Sequence, residues 1–456
     1  MFKNECDLDE AKVNWILKCA NNFKSDLHWK GLNLRPAFIR YLYYAMMADD
    51  TIVDSQWLEK RLSSQVSFND ILLELEFFEK SWKSKAKNIP GLLFAQYKIK
   101  WLGHNLNKNK KKKPLIVARH WKHVSYLKKS QLFNTLDPNW LVDSPQMAKE
   151  IGLATDDSIV PQIRPFRVSK SLYPLNLLHD LANGLKISLK KIAPSAIFVV
   201  EGDAPHHSLL AEIGYQLNIP VYCFQWGFFH PLDLLISFAE MRFNKFLSWG
   251  PIFEKQLKPY NSKLDFISFG HLTSNSQSQL GNKIIFLSQF VTSYITKTDQ
   301  ELFVKLAKSL AERFPNQVIW RPHPSDLNNS KELLELKNCK VCVLNPRESL
   351  TNQLQNSMLA VGIGSSSLID ALYCGVIPIS FNTTCMKNFP FPLSDQGIGF
   401  EFKNFEDALK QITDLINDEN RITNIQNKIA MKHSSIFTKT GLHERTKLIE
   451  QLCKNK

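Results

Sequence analysis

The chain has 456 residues, more than a single hydrophobic core ordinarily serves, so two or three domains are expected. Hydrophobic residues make up 44% and charged residues 22%, which excludes a disordered or fibrous chain. The net charge of +14 favours an anionic partner, such as a nucleotide, an acidic glycan, a membrane surface or nucleic acid.

The eight cysteines are scattered, most of them among apolar neighbours, which indicates reduced thiols in a cytoplasmic protein. Cys339 and Cys342 have the spacing of half a zinc site, but without a second pair they fit a strand at residues 340–344 better. The N-terminus has no apolar run of a signal peptide, and serines, an aspartate and a glycine interrupt the most apolar stretch, residues 358–381. We therefore expect a soluble protein, at most peripheral at the inner face of a membrane.

The first hundred residues carry apolar and aromatic side chains at helical spacing, which predicts a mainly helical layer over residues 1–105. This spacing is seen at Phe38, Tyr41, Leu42 and Met46, and again at Ile71, Leu72, Leu75 and Phe78. A lysine run follows, formed by Lys108, Lys110, Lys111, Lys112 and Lys113. The run is either a solvated loop or a peripheral contact with anionic lipid or an acidic acceptor glycan.

From residue 114 onward, short apolar strands alternate with helical segments. Strands are predicted at residues 114–118, 196–200, 220–224, 246–250 and 266–270, with a helix at 207–217. Strands that are apolar on both faces and surrounded by helices are typical of a parallel sheet covered on both sides.

The polar segment at residues 273–282 is the predicted domain boundary. It separates a domain at residues 1–275 from one at residues 280–456. In the second domain, strands are predicted at residues 283–287, 317–321, 341–344, 358–361 and 376–381, and helices at 299–313, 330–337, 368–373 and beyond 404. The predicted fold class is α/β, with two Rossmann-like domains facing across a cleft.

In open parallel sheets, ligands bind beyond the carboxyl ends of the strands, so residues that follow a strand are candidates for a site. One strand delivers Arg321-Pro322-His323-Pro324, in which two prolines fix the backbone. Arg321 offers a planar fork to a phosphate, and His323 offers a hydrogen bond or a proton to a leaving oxygen. A simple turn is the alternative, but position, rigidity and residue type favour phosphate binding.

Another strand delivers a glycine- and serine-rich segment at residues 362–367, followed by a helix. Gly364 lets a ligand approach the backbone, and Ser365, Ser366 and Ser367 suit either an anion site or a structural helix cap. Without the lysine of a P-loop or the GxGxxG spacing, neither NTP hydrolysis nor dinucleotide binding is indicated. Asp370, one turn into the helix, is predicted to contact a sugar or ribose hydroxyl, or else is an ordinary first-turn acid.

These two elements and a Cys-Gly-Val-Ile-Pro segment at residues 374–378 resemble the C-terminal domain of bacterial GT-B glycosyltransferases that build capsule and lipopolysaccharide. The Kdo transferases and the sialyl- and polysialyltransferases, which use CMP-activated sugars, are the most similar families. In them the His-Pro and Ser-rich elements hold the nucleotide phosphate, so the resemblance implies that role for His323 and for Ser365 to Ser367.

The first half also resembles these families. Two acids followed by glycine stand after a strand there, and this chain has Glu201-Gly202-Asp203, so both acids are candidates for the catalytic base. Either acid is alternatively a helix cap. Gln225 and Trp226, after the next strand, are predicted to contact the acceptor or the donor sugar.

Asp233 is a third candidate carboxylate, required if the reaction retains configuration through a covalent step, and otherwise a loop acid. His206 and His207 are adjacent on a helix and lack a third ligand, and no Asp-x-Asp motif is present, so no catalytic metal or other cofactor is expected.

The sequence therefore predicts a metal-independent glycosyltransferase that moves a sugar acid, Kdo or sialic acid, from a CMP donor to a lipopolysaccharide or capsule glycan. A UDP- or CDP-dependent transferase, polymerase or epimerase of the same fold is the first alternative. A non-catalytic scaffold of polysaccharide assembly is another. Nucleic acid is not an expected partner, because no recognisable nucleic-acid-binding module is present.

Overall fold

The computed structural model describes most of the chain, and every structural statement below concerns the described residues. These are residues 5–22, 24–25, 27–47, 112–118, 121–142, 158–159, 174–227, 231–236, 238–272, 281–289, 295–323, 335–336, 338–339, 341–346, 348–382, 394 and 397–454.

The chain begins with a helical layer, as predicted. It comprises α1 (Glu5–Asn22), a short antiparallel ribbon of β1 (His28–Trp29) and β2 (Leu32–Asn33), and α2 (Arg35–Met47). The apolar side chains of this layer, with Phe38 fully buried, pack on one face of the first sheet. The predicted helical stretch that contains Ile71 and Phe78 lies outside the described residues.

The first domain is a twisted parallel sheet with helices on both faces. Its elements are β3 (Leu115–Ala118), α3 (Trp121–Lys129), β4 (Asn139–Val142), β5 (Ser158–Ile159), α4 (Pro174–Ile192), β6 (Ile197–Val200), α5 (Pro205–Gln216), β7 (Val221–Phe224), α6 (Pro231–Ile236), a 3₁₀ turn (Phe238–Glu240), β8 (Lys245–Ser248), α7 (Pro251–Leu257) and β9 (Phe266–Ser268). The strand order is β5-β4-β3-β6-β7-β8-β9, and all the pairings are parallel. The central strands are buried throughout, as their continuous apolar sequences predict.

The second domain repeats this architecture. Its elements are β10 (Lys283–Leu287), α8 (Lys297–Arg313), β11 (Val318–Arg321), β12 (Cys342–Val343), α9 (Leu350–Leu354), β13 (Ser357–Gly362), α10 (Ser367–Tyr373), β14 (Ile377–Phe381) and β15 (Phe400–Phe402). The strand order is β12-β11-β10-β13-β14-β15, again parallel at every pairing. The predicted pair of α/β domains is therefore confirmed.

Local chemistry sets the helix starts slightly earlier than predicted. Helix α8 begins before Asp299 because Thr296 caps it: the Asp299 N–H donates to the Thr296 hydroxyl at 3.1 Å, and the Thr296 N–H donates back to the carboxyl group at 3.2 Å. Helix α5 begins at Pro205, whose fixed φ and missing N–H suit a first helical turn. Strands β1, β2, β4, β5 and β15 were not predicted.

Three helices end the chain: α11 (Phe405–Ile416), α12 (Glu419–Ile436) and α13 (Leu442–Lys454). The first two contribute to the core of the second domain. Helix α13 returns to the first sheet, where Ile449 and Leu452 are buried against its strands and the Tyr222 hydroxyl donates to the Leu452 carbonyl at 3.1 Å. The sequence placed this helix in residues 280–456 as part of the second domain. Of the predicted boundary at residues 273–282, residues 273–280 lie outside the described residues, and the boundary stays a prediction.

A segment at residues 437–441 carries the chain from α12 back to α13. The Thr438 N–H donates to the Trp249 carbonyl at 3.0 Å, and the Thr440 hydroxyl donates to the Phe269 carbonyl at 2.7 Å. The returning segment is therefore bonded to residues that follow β8 and β9.

Two glycines allow this close backbone approach. A Cβ atom added to Gly250 would lie 2.1 Å from the Ile436 carbonyl oxygen. A Cβ atom added to Gly270, where φ is +93°, would lie 2.8 Å from the Thr438 carbonyl oxygen. Larger side chains would push the returning segment away.

Among the described helices, none is both long enough and apolar enough to cross a membrane.

Candidate functional site

A cavity of about 620 Å³ lies where the carboxyl ends of the two sheets face each other. Its polar and aromatic lining comes from both domains and from α13: Ser125, Tyr126, Trp226, Trp249 and His271 on one side, Ser288, Arg321, His323, Glu348, Ser365, Ser366, Ser367 and Asp370 on the other, and Arg445 from the last helix. Seven of the predicted site residues share this cavity. Arg321, His323, Ser365, Ser366, Ser367 and Asp370 come from the second domain, and Trp226 comes from the first.

Arg321 lines the cavity, but its guanidinium group also holds the neighbouring loop. It donates to the carbonyl oxygens of Pro346 at 3.0 Å and Glu348 at 3.1 Å, and to the side chain of Gln353. Burial lowers the pKa of Arg321, and the nearby Tyr126 and the acids beside it oppose that effect. The geometry gives Arg321 a positioning role beside the predicted contact with phosphate, which stays a prediction.

His323 lies just beyond the end of β11, with a half-buried side chain facing the cavity. Its backbone N–H donates to the hydroxyl of Ser288 at 3.3 Å, which ties the loop to the end of β10. Pro322 is buried, whereas Pro324 lies outside the described residues. The backbone of this loop therefore holds the His323 imidazole beyond the carboxyl end of β11.

The Ser-rich segment follows β13. Gly364 has a φ of +55°, a conformation in which glycine avoids steric strain, and it turns the chain toward α10. The buried Ser365 hydroxyl accepts a hydrogen bond from the Ser367 N–H at 3.3 Å. The Ser366 and Ser367 hydroxyls make no hydrogen bond within the described part of the chain, so both are available to a ligand.

Asp370 contacts the first domain directly. Its Oδ1 atom lies 3.2 Å from Nε2 of His271, which follows β9, and the two side chains are 26% and 4% exposed. The pair joins the two sides of the cavity.

An aromatic cluster forms the wall of the first domain. The ring of Trp226 contacts Tyr126 edge to face at 5.2 Å between centroids and His123 at 4.3 Å. Burial raises the pKa of Tyr126, with a further contribution from Asp370 across the cavity, so the Tyr126 hydroxyl stays protonated and able to donate.

Glu201 and Asp203 are not among the described residues that line this cavity. Asp203 pairs with the buried Arg40 of α2 at 3.1 Å, and Arg40 also donates to its backbone carbonyl. Glu201 and Gly202 have positive φ values of +74° and +77°, and a Cβ atom on Gly202 would lie 2.7 Å from the Cys223 sulfur. The pair with Arg40 gives Asp203 a structural role, and the predicted catalytic role of either acid stays a prediction.

The other predicted residues occupy different positions. Gln225 is buried, and its side-chain oxygen accepts from the Trp249 N–H at 3.0 Å, which links the ends of β7 and β8 rather than facing the cavity. The backbone of Asp233 lies in α6, and its side chain is outside the described part of the structure. The rings of His206 and His207 are buried against each other at 4.3 Å.

Within the described ranges, no three His, Cys, Asp or Glu side chains come together as a metal site would require. Of the lysine run, only Lys112 and Lys113 are described: Lys112 is exposed, and Lys113 forms an ion pair with Asp137. The predicted membrane contact stays a prediction.

Sequence reasoning missed the other polar and aromatic residues of the lining, among them Tyr126, His271, Glu348 and Arg445. His271 directly follows the predicted strand at residues 266–270, so the rule that ligands bind after strand ends could have found it. Tyr126 and Arg445 lie on helices and reach the cavity only through the packing of the two domains.

Neither a protein-family model nor a curated protein matches the sequence. Solved structures are similar in fold. The UDP-GlcNAc 2-epimerase of Methanocaldococcus jannaschii, in complex with UDP-GlcNAc and UDP, matches with a TM-score of 0.53 at 13% identity, over 75% of this chain and 100% of that chain. MurG of Acinetobacter baumannii matches with a TM-score of 0.51 at 11% identity, over 74% and 99% of the two chains.

The UDP-GlcNAc 2-epimerase of Neisseria meningitidis, bound to UDP-GlcNAc, matches with a TM-score of 0.50 at 13% identity, over 75% of this chain and all of that one. At such identities the likeness concerns the fold alone. Two parallel sheets that face each other across a cavity, together with these neighbours, show that the chain has the two-domain GT-B fold.

Proposed function

We propose that this chain is a glycosyltransferase that binds a nucleotide-activated sugar between its two domains. The observation that carries the proposal is the shared cavity: it brings His323, Ser366 and Ser367 of the second domain together with Trp226 and Tyr126 of the first. These groups suit a donor that has a phosphate at one end and a sugar at the other.

The two domains would contribute different groups to the reaction. The leaving nucleotide gains negative charge on a phosphate oxygen, and fixed donors in a water-poor site stabilise that charge best. His323 and the two serine hydroxyls would supply such donors, and His323 is also able to donate a proton. The Tyr126 and Trp226 rings offer apolar faces against which a sugar ring packs.

The acceptor hydroxyl needs a base or a charged neighbour. Glu201, Asp203 and Asp233 remain the proposed candidates from the motif resemblance. Among the described cavity residues, carboxyl groups come from Glu348 and Asp370. Catalysis is proposed to proceed without a divalent metal.

For the donor, a CMP-linked sugar acid, Kdo or sialic acid, is proposed from the motif resemblance and the positive charge of the chain. The acceptor would then be a lipopolysaccharide or capsule glycan, acidic or lipid-linked, reached from the inner face of the membrane. A UDP-linked donor is the second candidate, and an epimerase acting on such a sugar is related to it. The specific support for this candidate is the similarity to two epimerases solved with UDP-GlcNAc.

A nucleotide panel tests the proposal and chooses the donor. Thermal unfolding is followed with CMP, CDP, UDP and GDP, and a ligand at 100 times its Kd stabilises the folded state by about 2.7 kcal/mol. A clear preference for CMP favours the sugar-acid donor, and a preference for UDP favours the second candidate. The absence of any shift would contradict a nucleotide site.

His323→Ala then tests the reaction. Loss of a donor to the leaving phosphate is expected to reduce transfer by about 100-fold or more, with an unchanged fold. His28→Ala, which removes an exposed histidine of the first domain, is the matched control and should keep full activity. Wild-type turnover in His323→Ala would refute the assigned role.

A further inference from the structure

A side-chain pair joins the first domain to the nucleotide side of the cavity. His271 belongs to the loop after β9 of the first domain, and Asp370 lies one turn into α10 of the second. Their 3.2 Å separation is a hydrogen-bonding distance, and the His271 side chain is 4% exposed. The contact is therefore part of the packed interior and not a surface ion pair.

Packing fixes the His271 ring from both sides. The ring stacks on Tyr373 of the second domain at 4.5 Å and an interplanar angle of 26°, and it packs at 4.8 Å on Trp249 of the first domain. Its backbone carbonyl accepts a hydrogen bond from Arg445 at 2.7 Å. A ring held this way presents Nε2 in one direction, so it is a good orienting group for a carboxylate.

Asp370 has one oxygen toward His271 and remains 26% exposed on the cavity side. It lies on the same short helix as Ser367, next to the side chains proposed to donate hydrogen bonds to the phosphate. A carboxylate repels phosphate but accepts hydrogen bonds from hydroxyl groups. The hydroxyl-rich parts of a nucleotide sugar are the ribose and the sugar ring.

We propose that His271 is a positioning residue of the donor site: it orients Asp370 to accept a hydrogen bond from a hydroxyl of the donor. The assignment rests on the proposed function. Because His271 belongs to the opposite domain, the donor site of the second domain is complete only while the two domains are in contact here. Donor affinity and domain contact are thereby linked.

Two substitutions separate the roles of the ring. His271→Phe keeps a flat ring between Trp249 and Tyr373 but removes the hydrogen-bond donor. His271→Gln gives up the aromatic ring but places an N–H near the position of Nε2. Calorimetry gives the Kd of four ligands: the nucleotides CMP and UDP, and the complete donors CMP-sialic acid and UDP-GlcNAc. Each ligand is titrated into wild type, His271→Phe, His271→Gln, Asp370→Asn and the double variant His271→Phe/Asp370→Asn.

We expect His271→Phe to weaken binding of the preferred ligand about tenfold, and His271→Gln to recover most of that loss. Asp370→Asn should weaken binding similarly, and the double variant should be no weaker than Asp370→Asn, because the two residues act as one unit. A loss already seen with the nucleotide alone assigns the hydroxyl to the ribose. A loss confined to the complete donor assigns it to the sugar.

Unchanged binding by His271→Phe, no recovery in His271→Gln, or losses that multiply in the double variant would each overturn the positioning role. A purely structural pair would lower the unfolding temperature without these binding effects. If wild type binds none of the four ligands, the proposed function fails and the assignment fails with it. If wild type binds and His271→Phe binds equally well, the assignment alone fails.

Discussion

The substitution Arg321→Lys tests whether Arg321, which was predicted to bind phosphate, instead stabilises the loop that lines the cavity. The guanidinium group donates to Pro346, Glu348 and Gln353, and a lysine ammonium in its place reaches at most one of these acceptors. The substitution keeps the positive charge and removes the fork, so it separates the two roles.

The expected cost follows from the bonds lost. A hydrogen bond to a charged group contributes about 1.5–3 kcal/mol, and two of the three are removed. Glu348 is exposed, so water replaces part of that loss. We therefore expect the free energy of unfolding of the second domain to fall by about 2–4 kcal/mol. The loop that contains Pro346 and Glu348 should exchange its amide hydrogens faster.

Urea unfolding followed by circular dichroism gives the stability, and hydrogen exchange with mass spectrometry gives the local effect. Arg313→Lys is the matched control, because its guanidinium donates one hydrogen bond, to Thr413 at 3.0 Å, at an exposed position. This control should change stability by less than about 1 kcal/mol. An unchanged urea midpoint and unchanged exchange in Arg321→Lys, combined with weaker nucleotide binding, would refute the structural role and favour direct contact with phosphate.

Two further predictions concern the first domain. Asp203→Asn removes the negative charge that pairs with the buried Arg40 and should lower the free energy of unfolding by about 3–5 kcal/mol, measured by urea unfolding. Unchanged stability with a 100-fold loss of turnover would instead place Asp203 in the reaction. Burial raises the pKa of Tyr222 to about 12, so the folded protein keeps the hydroxyl protonated at a pH where the unfolded chain loses that proton. The contribution of Tyr222 to the free energy of unfolding is therefore fully present below its ordinary pKa of about 10 and is lost as pH rises toward 12. Tyr222→Phe should cost about 1 kcal/mol at neutral pH through the lost bond to Leu452 and flatten the decline above pH 10; an equally steep decline would contradict this.

Strand positions were readable from the sequence because buried parallel strands are continuous apolar runs. Strand β10 (Lys283–Leu287) was predicted with its observed bounds, and β6 (Ile197–Val200) differs by one residue. Strand β15 (Phe400–Phe402) was missed because three residues at a sheet edge carry too little pattern. The return of α13 to the first sheet was also missed, since an amphipathic helix does not encode which sheet it covers.

Some contacts of the candidate site were predictable from the sequence, and others were not. His323 and Ser365 follow β11 and β13 of one parallel sheet, so the rule that ligands bind beyond strand ends made both candidates for the same site. The contact between His271 and Asp370 depends on how two separate domains pack, which no local pattern records. For Arg321, residue type suggested a ligand for phosphate, whereas its neighbours show that the same fork satisfies backbone carbonyl groups.

The returning segment at residues 437–441 also has a mechanical consequence. The polypeptide passes between the domains once between Leu272 and Gly281 and again at this segment, where Gly250 and Gly270 let the backbones touch. A second crossing of the chain leaves the two domains fewer relative motions than a single linker would. The His271–Asp370 contact is one of the interactions that would break if the walls of the cavity separated.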